Sequence, residues 1–220
     1  MSNRDFENYM KKHHRISSTF IDSYKSKANS THHILDDTND GIMVDIFSKL
    51  ITNRIIFLST EMESDTCNII KAQLLYLEQM DADKDIKIYI DSPGGSVYSG
   101  LGLLDTMEYI KPEIVTINTG LAASMAAVLL CCGSKGKRKA LKRSRTMIHQ
   151  PLGYLGFAQA SDFEIDAKEI NSLKKELYQI ISERTERNYG QVEKDSDRDY
   201  WMTAEEALNY GMIDEIVKRK

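Results

Sequence analysis

The stretch Ile86-Lys87-Ile88-Tyr89-Ile90-Asp91-Ser92-Pro93-Gly94-Gly95 alternates apolar and polar residues, then breaks into a tight turn. Alternation is the signature of a strand, and Pro-Gly-Gly ends it abruptly. A helix over about 96–110 is expected to follow. The same plan returns 28 residues later. Ile114-Val115-Thr116-Ile117 reads as a strand, Gly120-Leu121-Ala122-Ala123-Ser124 as a small-residue turn, and 125–132 as an apolar helix. Strand, turn and helix repeated in this order make βαβ units with right-handed crossovers, which implies a largely parallel sheet.

Working outward, 42–51 reads as an amphipathic helix, Arg54 to Leu58 as a buried strand, and 65–80 as a helix with Ile69, Ile70, Leu74 and Leu77 on one stripe. Met147-Ile148-His149 is a short strand. Ser161-Asp162-Phe163-Glu164 reads as a capping box that opens a long helix to about Glu186, carrying Phe163, Ile170, Leu173, Leu177 and Ile180. Thr203-Ala204-Glu205-Glu206 is a second capping box, and 213–217 is expected to close the chain as a strand. Residues 1–40 lack sustained periodicity and read as a mobile arm or propeptide, which leaves 41–220 as one domain.

At 220 residues the chain is long enough to bury a substantial core. Its net charge of −4 gives no general case for nucleic acid or an anionic membrane, and no apolar run is long enough to span a bilayer. The N-terminus lacks the apolar core of a secretory signal. Cys67, Cys131 and Cys132 form no disulfide framework, so a reducing, cytoplasmic setting is expected. The basic run from Lys135 to Arg145 carries no interleaved aromatic residues and reads as a solvated edge rather than a nucleic-acid surface. The pairs His13-His14 and His32-His33 lack ligand spacing to other donors, so neither metal nor cofactor is expected.

From residue 34 onward His149 is the one histidine, and hence the one imidazole general base for chemistry at neutral pH. Ser124, flanked by alanines, can sit on a sharp turn with its hydroxyl exposed. A serine needs a base within about 3 Å to act as a nucleophile. Backbone N–H groups of the Gly94-Gly95 turn and the Gly120–Ser124 turn lie at helix starts, where they have no intrahelical partner. Facing each other, the two turns would form an oxyanion hole. Composition leaves the orienting acid open among Asp162, Asp166, Asp195, Asp197, Asp199 and Asp214. The G-x-S-x-G elbow pattern is absent.

Four segments stand in order: Tyr89-Ile90-Asp91-Ser92-Pro93-Gly94-Gly95-Ser96, Ala122-Ala123-Ser124-Met125, Met147-Ile148-His149-Gln150-Pro151, and Asp197 through Ala207. From about Ile42 onward the chain resembles the ClpP family, proteolytic subunits of Clp protease. The resemblance implies a ClpP/crotonase-like α/β spiral with a projecting handle helix. It maps the nucleophile to Ser124, the base to His149, the orienting acid to Asp199, and the oxyanion donors to the N–H groups of Gly95 and Met125. It also implies a substrate-binding strand through Gly153, Tyr154, Gly156 and Phe157. The partners implied are further copies in two stacked heptameric rings, an AAA+ unfoldase such as ClpX or ClpA, and unfolded protein substrates.

Two departures from the family pattern stand out. Asp91 replaces the asparagine that usually precedes Ser-Pro-Gly-Gly. The segment after Pro151 is one residue longer and more apolar, which implies a bulge or a shifted register. That second departure keeps a catalytically weak ring-building subunit as an alternative. A crotonase-type acyl-CoA enzyme is a further rival, although a Ser-His-Asp set has no obvious use there.

Overall fold

A computed structural model describes residues 33–36, 42–153 and 159–218. The chain divides into two units, 1–56 and 57–220. In the first, β1 (His33–Asp36) and β2 (Ile42–Asp45) pair antiparallel, and α1 (Ile46–Thr52) follows. The helix expected from 42 therefore begins four residues later. Ile42-Met43-Val44 has β-branched residues at period two, and pairing with β1 satisfies their backbone in a ladder.

The second unit holds most of a seven-stranded sheet, which starts at β3 (Ile55–Leu58). Within the unit come α2 (Ser64–Met80), β4 (Ile86–Ser92), α3 (Val97–Tyr109), β5 (Ile114–Ala123), α4 (Met125–Cys131), β6 (Arg138–Leu141), β7 (Arg145–Ile148), α5 (Ala160–Thr185), α6 (Tyr189–Asp195), β8 (Tyr200–Thr203), α7 (Ala204–Tyr210) and β9 (Glu215–Val217). Strands β4, β5, β6 and β9 run parallel in that order. The class is the expected α/β one. The core is the apolar inner face of this sheet together with α2 and α4, where Ile86, Ile90, Leu74 and Leu129 are almost fully buried.

Two features of this sheet place the site. First, β5 changes neighbour along its length. Thr116–Asn118 pairs with β6, whereas Leu121–Ala123 pairs with β7. Second, β5 carries extra residues against β4, because Ile90 pairs with Asn118 but Ser92 pairs with Ala122. The residues expected to form a turn at 120–123 are thus strand with an irregular register. Local polar groups hold the irregularity. Asp91 Oδ1 accepts from the Leu121 N–H at 2.9 Å, and Thr119 Oγ1 donates to the Ile90 carbonyl at 3.1 Å. Gly120 leaves room for this carboxylate, since a Cβ there would lie 2.5 Å from Asp91 Oδ1. The Asp91 charge is thereby engaged by a backbone N–H of β5.

The start of α5 also differs from expectation. Its N-cap is Gln159 rather than Ser161, and Asp162 rather than Glu164 reaches back, its Oδ2 accepting from the Gln159 N–H at 3.2 Å. Ala160 and Ser161 tolerate helix, so the cap forms at the first carboxylate able to close it. At Thr203 the box is as expected, with Glu206 accepting from the Thr203 N–H at 2.8 Å. Strands β6 and β8 and helix α6 have no counterpart in the sequence reading. Strand β9 begins at Glu215 rather than 213.

Candidate active site

Strand registers bring the three polar residues of the site together. Ala123 pairs with Met147 in the parallel β5–β7 ladder, and the Ser124 N–H extends it by donating to the Met147 carbonyl at 2.8 Å. His149 lies two residues beyond Met147. Strand β8 runs antiparallel to β7 with Ile148 opposite Tyr200, so the next pair outward is His149 opposite Asp199. Residues 25 and 50 positions apart thus meet because two ladders share β7. His149 Nε2 lies 2.9 Å from Ser124 Oγ, and Nδ1 lies 3.1 Å from Asp199 Oδ1. The carboxylate accepts from Nδ1–H, which leaves the Nε2 lone pair to accept the serine hydroxyl proton. Of the six acids open on composition, Asp199 is the one joined to the imidazole. Its side chain is 59% exposed, against 15% for His149.

Ser124 has φ 55° and ψ −127°, a region that non-glycine residues rarely adopt. Strain of this kind costs about 1–3 kcal/mol and persists where surrounding structure fixes it. Here β5 ends and α4 begins with no intervening loop, so Ser124 is presented on a sharp corner as the N-cap of α4.

The Gly94-Gly95 turn packs flush against that corner. A Cβ on Gly94 would lie 2.6 Å from the Ala123 carbonyl oxygen, 2.8 Å from Ser124 Cβ and 2.9 Å from the Met125 nitrogen. Buried Ser92 holds the turn. Its hydroxyl donates to the Thr60 carbonyl at 2.6 Å and accepts from the Gly94 N–H at 3.2 Å. Met62 pairs with the far side, its N–H donating to the Gly94 carbonyl and its carbonyl accepting from the Ser96 N–H. These two bonds flank Gly95 in a parallel bridge, so the Gly95 N–H takes no part in the pairing with Met62. Among the described residues, the Gly95 and Met125 N–H groups donate to no other group.

A cleft of about 570 Å³ adjoins Ser124 and His149. Gly153 lies on its wall against Ile170, where a Cβ would meet Ile170 Cδ1 at 2.3 Å. Tyr154, Gly156, Phe157 and the extra residue of this segment lie outside the described residues.

Three supporting residues escaped the sequence reading. Asn118 Nδ2 donates to the Arg145 carbonyl at 2.8 Å and ties β5 to the start of β7. Gln150 Nε2 donates to the Asp197 carbonyl at 2.8 Å and holds the segment before Asp199 beside His149. Gly94 rather than Gly95 is the glycine that makes the close approach possible. Gln150 and Gly94 sit within quoted motifs, but their partners lie on other elements.

Four of the seven basic residues of the run from Lys135 to Arg145 form ion pairs within the chain. Lys135 pairs with Glu186, Lys137 with Asp85 and Glu113, Arg138 with Asp214, and Lys139 with Glu215. Among the described residues no group of His, Cys, Asp and Glu is placed to hold a metal ion, and no helix is long and apolar enough to cross a membrane.

A hydroxyl, an imidazole and a carboxylate in series beside two free amide donors are the arrangement of a serine hydrolase site. A sequence model of the family described as Clp protease matches residues 37–220. The ATP-dependent Clp protease proteolytic subunit of Bacteroides fragilis is 52% identical over 219 residues, 98% of this chain and 99% of that protein. The subunit of Porphyromonas gingivalis is 52% identical over 218 residues, 98% of each. Proteolytic subunit 1 of Prochlorococcus marinus is 54% identical over 176 residues, 80% of this chain and 90% of that protein. The chain belongs to the Clp protease family.

Proposed function

We propose that this chain is a serine endopeptidase that cleaves unfolded proteins and peptides, with Ser124 as nucleophile, His149 as general base and Asp199 as the acid that orients it. The observation that carries the reading is the unbroken series from Asp199 through His149 to Ser124, at 3.1 and 2.9 Å. His149 Nε2 takes the hydroxyl proton as Ser124 Oγ attacks the peptide carbonyl. The Gly95 and Met125 N–H groups hold the developing oxyanion. The imidazolium then protonates the leaving amine, and water, deprotonated by the same imidazole, releases the acyl group from Ser124. Gly153, Tyr154, Gly156 and Phe157 belong to the segment that binds the substrate backbone. The working form is two stacked heptameric rings enclosing a chamber in the cytoplasm. An ATP-driven unfoldase of the AAA+ class, such as ClpX or ClpA, feeds it, in keeping with the ATP-dependent relatives.

The test is labelling with a fluorophosphonate, which reacts only with an activated serine. The full chain should label at Ser124, and Ser124→Ala should lose the label and at least about a thousandfold of peptidase activity. It should keep its melting temperature. A folded wild-type chain that fails to label refutes the reading and favours a ring-building subunit without chemistry.

A further inference from the structure

Strand β5 passes through the core as Ile114-Val115-Thr116-Ile117, and the next residue, Asn118, is fully buried. Asparagine is depleted in strands, and a buried amide costs free energy unless its polar atoms are paired. Here they are paired. Nδ2 donates to the Arg145 carbonyl at 2.8 Å and to Thr146 Oγ1 at 3.2 Å, and Oδ1 accepts from the Gly120 N–H at 3.2 Å. A carbonyl only accepts and an N–H only donates, so one orientation of the amide satisfies both.

Asn118 stands where β5 exchanges neighbours. Its backbone pairs with Ala140 at the end of the β6 ladder, while its side chain reaches the first two residues of β7. Thr119 and Gly120 belong to neither ladder. The β5–β7 ladder that follows has three pairs among the described residues: Leu121 with Arg145, Ala122 with Thr146 and Ala123 with Met147. The Ser124 N–H closes its upper end on the Met147 carbonyl. So short a ladder specifies its register weakly. A slip of one residue would move β7 by roughly 3.3 Å and turn His149 to the opposite face. Asp91 and Thr119 tie this stretch of β5 to β4, and the Asn118 amide ties it to β7.

We propose that Asn118 is a positioning residue for the reaction: its amide sets the register of β7 on β5, and through it the 2.9 Å contact of His149 Nε2 with Ser124 Oγ. The inference rests on Ser124 being the nucleophile. Asn118 itself touches no reacting atom. A leucine would fill the place but leave the Arg145 carbonyl and the Gly120 N–H without this partner, and a shifted β7 would relieve that loss. An aspartate would keep the acceptor for Gly120 but set an oxygen against the Arg145 carbonyl. Once protonated, that carboxyl is close in shape to the amide and donates again.

The experiment uses the full chain with two substitutions, Asn118→Leu and Asn118→Asp. Measured well below the melting temperature are kcat and KM per folded chain, and the rate of fluorophosphonate labelling at Ser124. Asn118→Leu should lower kcat about a hundredfold, the cost of a misplacement of about 1 Å, with KM changed less than about twofold. The labelling rate should fall by a similar factor, because it needs His149 to take the same proton. Asn118→Asp should show a comparable loss at about pH 8.5. Burial raises the pKa of such a carboxyl, so the ratio of its kcat to that of the wild type should climb at least about tenfold towards about pH 5.5. A loss of packing alone would not recover in acid. A folded Asn118→Leu chain with near wild-type kcat overturns the proposal, and so does an Asn118→Asp defect that persists unchanged in acid. If Asn118→Leu does not fold, the nearly isosteric Asn118→Asp decides. A wild-type chain that labels at Ser124 while the variants match it defeats this inference alone, whereas a wild-type chain that does not label defeats the assignment of Ser124.

Discussion

Gly94 is the residue whose replacement the geometry tolerates least. Its φ is +91°, and the atoms a Cβ would strike are a backbone oxygen, a backbone nitrogen and Ser124 Cβ, none of them the free end of a flexible side chain. Gly94→Ala must therefore separate the turn from the Ser124 corner. A displacement of about 1 Å costs on the order of a hundredfold in rate. We expect peptidase activity to fall by at least that factor while circular dichroism still reports a folded chain, and near wild-type turnover would show that the two turns need not touch. Asp199 presents the opposite case, since it is half open to water and its carboxylate bonds the imidazole edge. Asp199→Asn removes the charge and can leave the wrong tautomer, so we expect kcat to fall by about a hundredfold or more, with KM and melting temperature little changed. An undiminished kcat would mean that the strand register alone orients His149.

Strand registers decide which parts of this site could be read in advance. Ser124 and His149 were legible because they are rare in kind: a serine among alanines at a strand end, and a lone histidine in the folded body. Asp199 was not legible from composition, since its place depends on β8 pairing with β7, and Tyr200-Trp201-Met202-Thr203 is too short to declare itself as a strand. The resemblance to a family singled it out. Strand β6 was hidden for a different reason. Arg138-Lys139-Ala140-Leu141 looks like a solvated charge run, yet Arg138 is only 6% exposed. Its Nε and backbone N–H both donate to Asp214 Oδ2 at 2.9 Å, and Nη1 donates to the Arg184 carbonyl at 2.7 Å. Burial pushes the Asp214 carboxyl up, but the Arg138 hydrogen bonds and charge outweigh it and hold the group below its ordinary value. A depressed carboxylate stabilises the fold above its unfolded pKa, near about 4, and loses that contribution as pH falls through the folded value. Asp214→Asn should therefore cost about 3 kcal/mol at pH 7, where it leaves a buried guanidinium without its counter-charge. Urea titrations of both proteins at pH 7 and pH 3 should show the gap narrowing in acid. A gap that is equal at both values would assign the loss to shape rather than charge.

At the scale of the whole molecule, the first half of α5 is the part that a single chain does not explain. Helix α5 is anchored through Leu173, Leu177, Tyr178 and Ile181, all buried. From Ala160 to Ser172 only Phe163 and Ile170 are even half-buried, and Ile165 is 66% exposed. Isolated helices this short are marginal in water, so packing must normally hold them. The proposed double ring supplies that packing, because a second copy meeting this stretch would cover Ile165 in a self-complementary contact. Ile165→Glu places a charge in the contact without touching the buried anchor. On sedimentation the wild type should run at the mass of two stacked seven-membered rings, and Ile165→Glu should shift it to half that mass or less. The variant should keep its helical circular dichroism signal, since Ile165 is already solvated in the single chain. Peptidase activity should fall along with the assembly, because the cleft wall begins one residue beyond Ile165. An Ile165→Glu variant that keeps the double ring would place the ring-to-ring contact elsewhere on the chain.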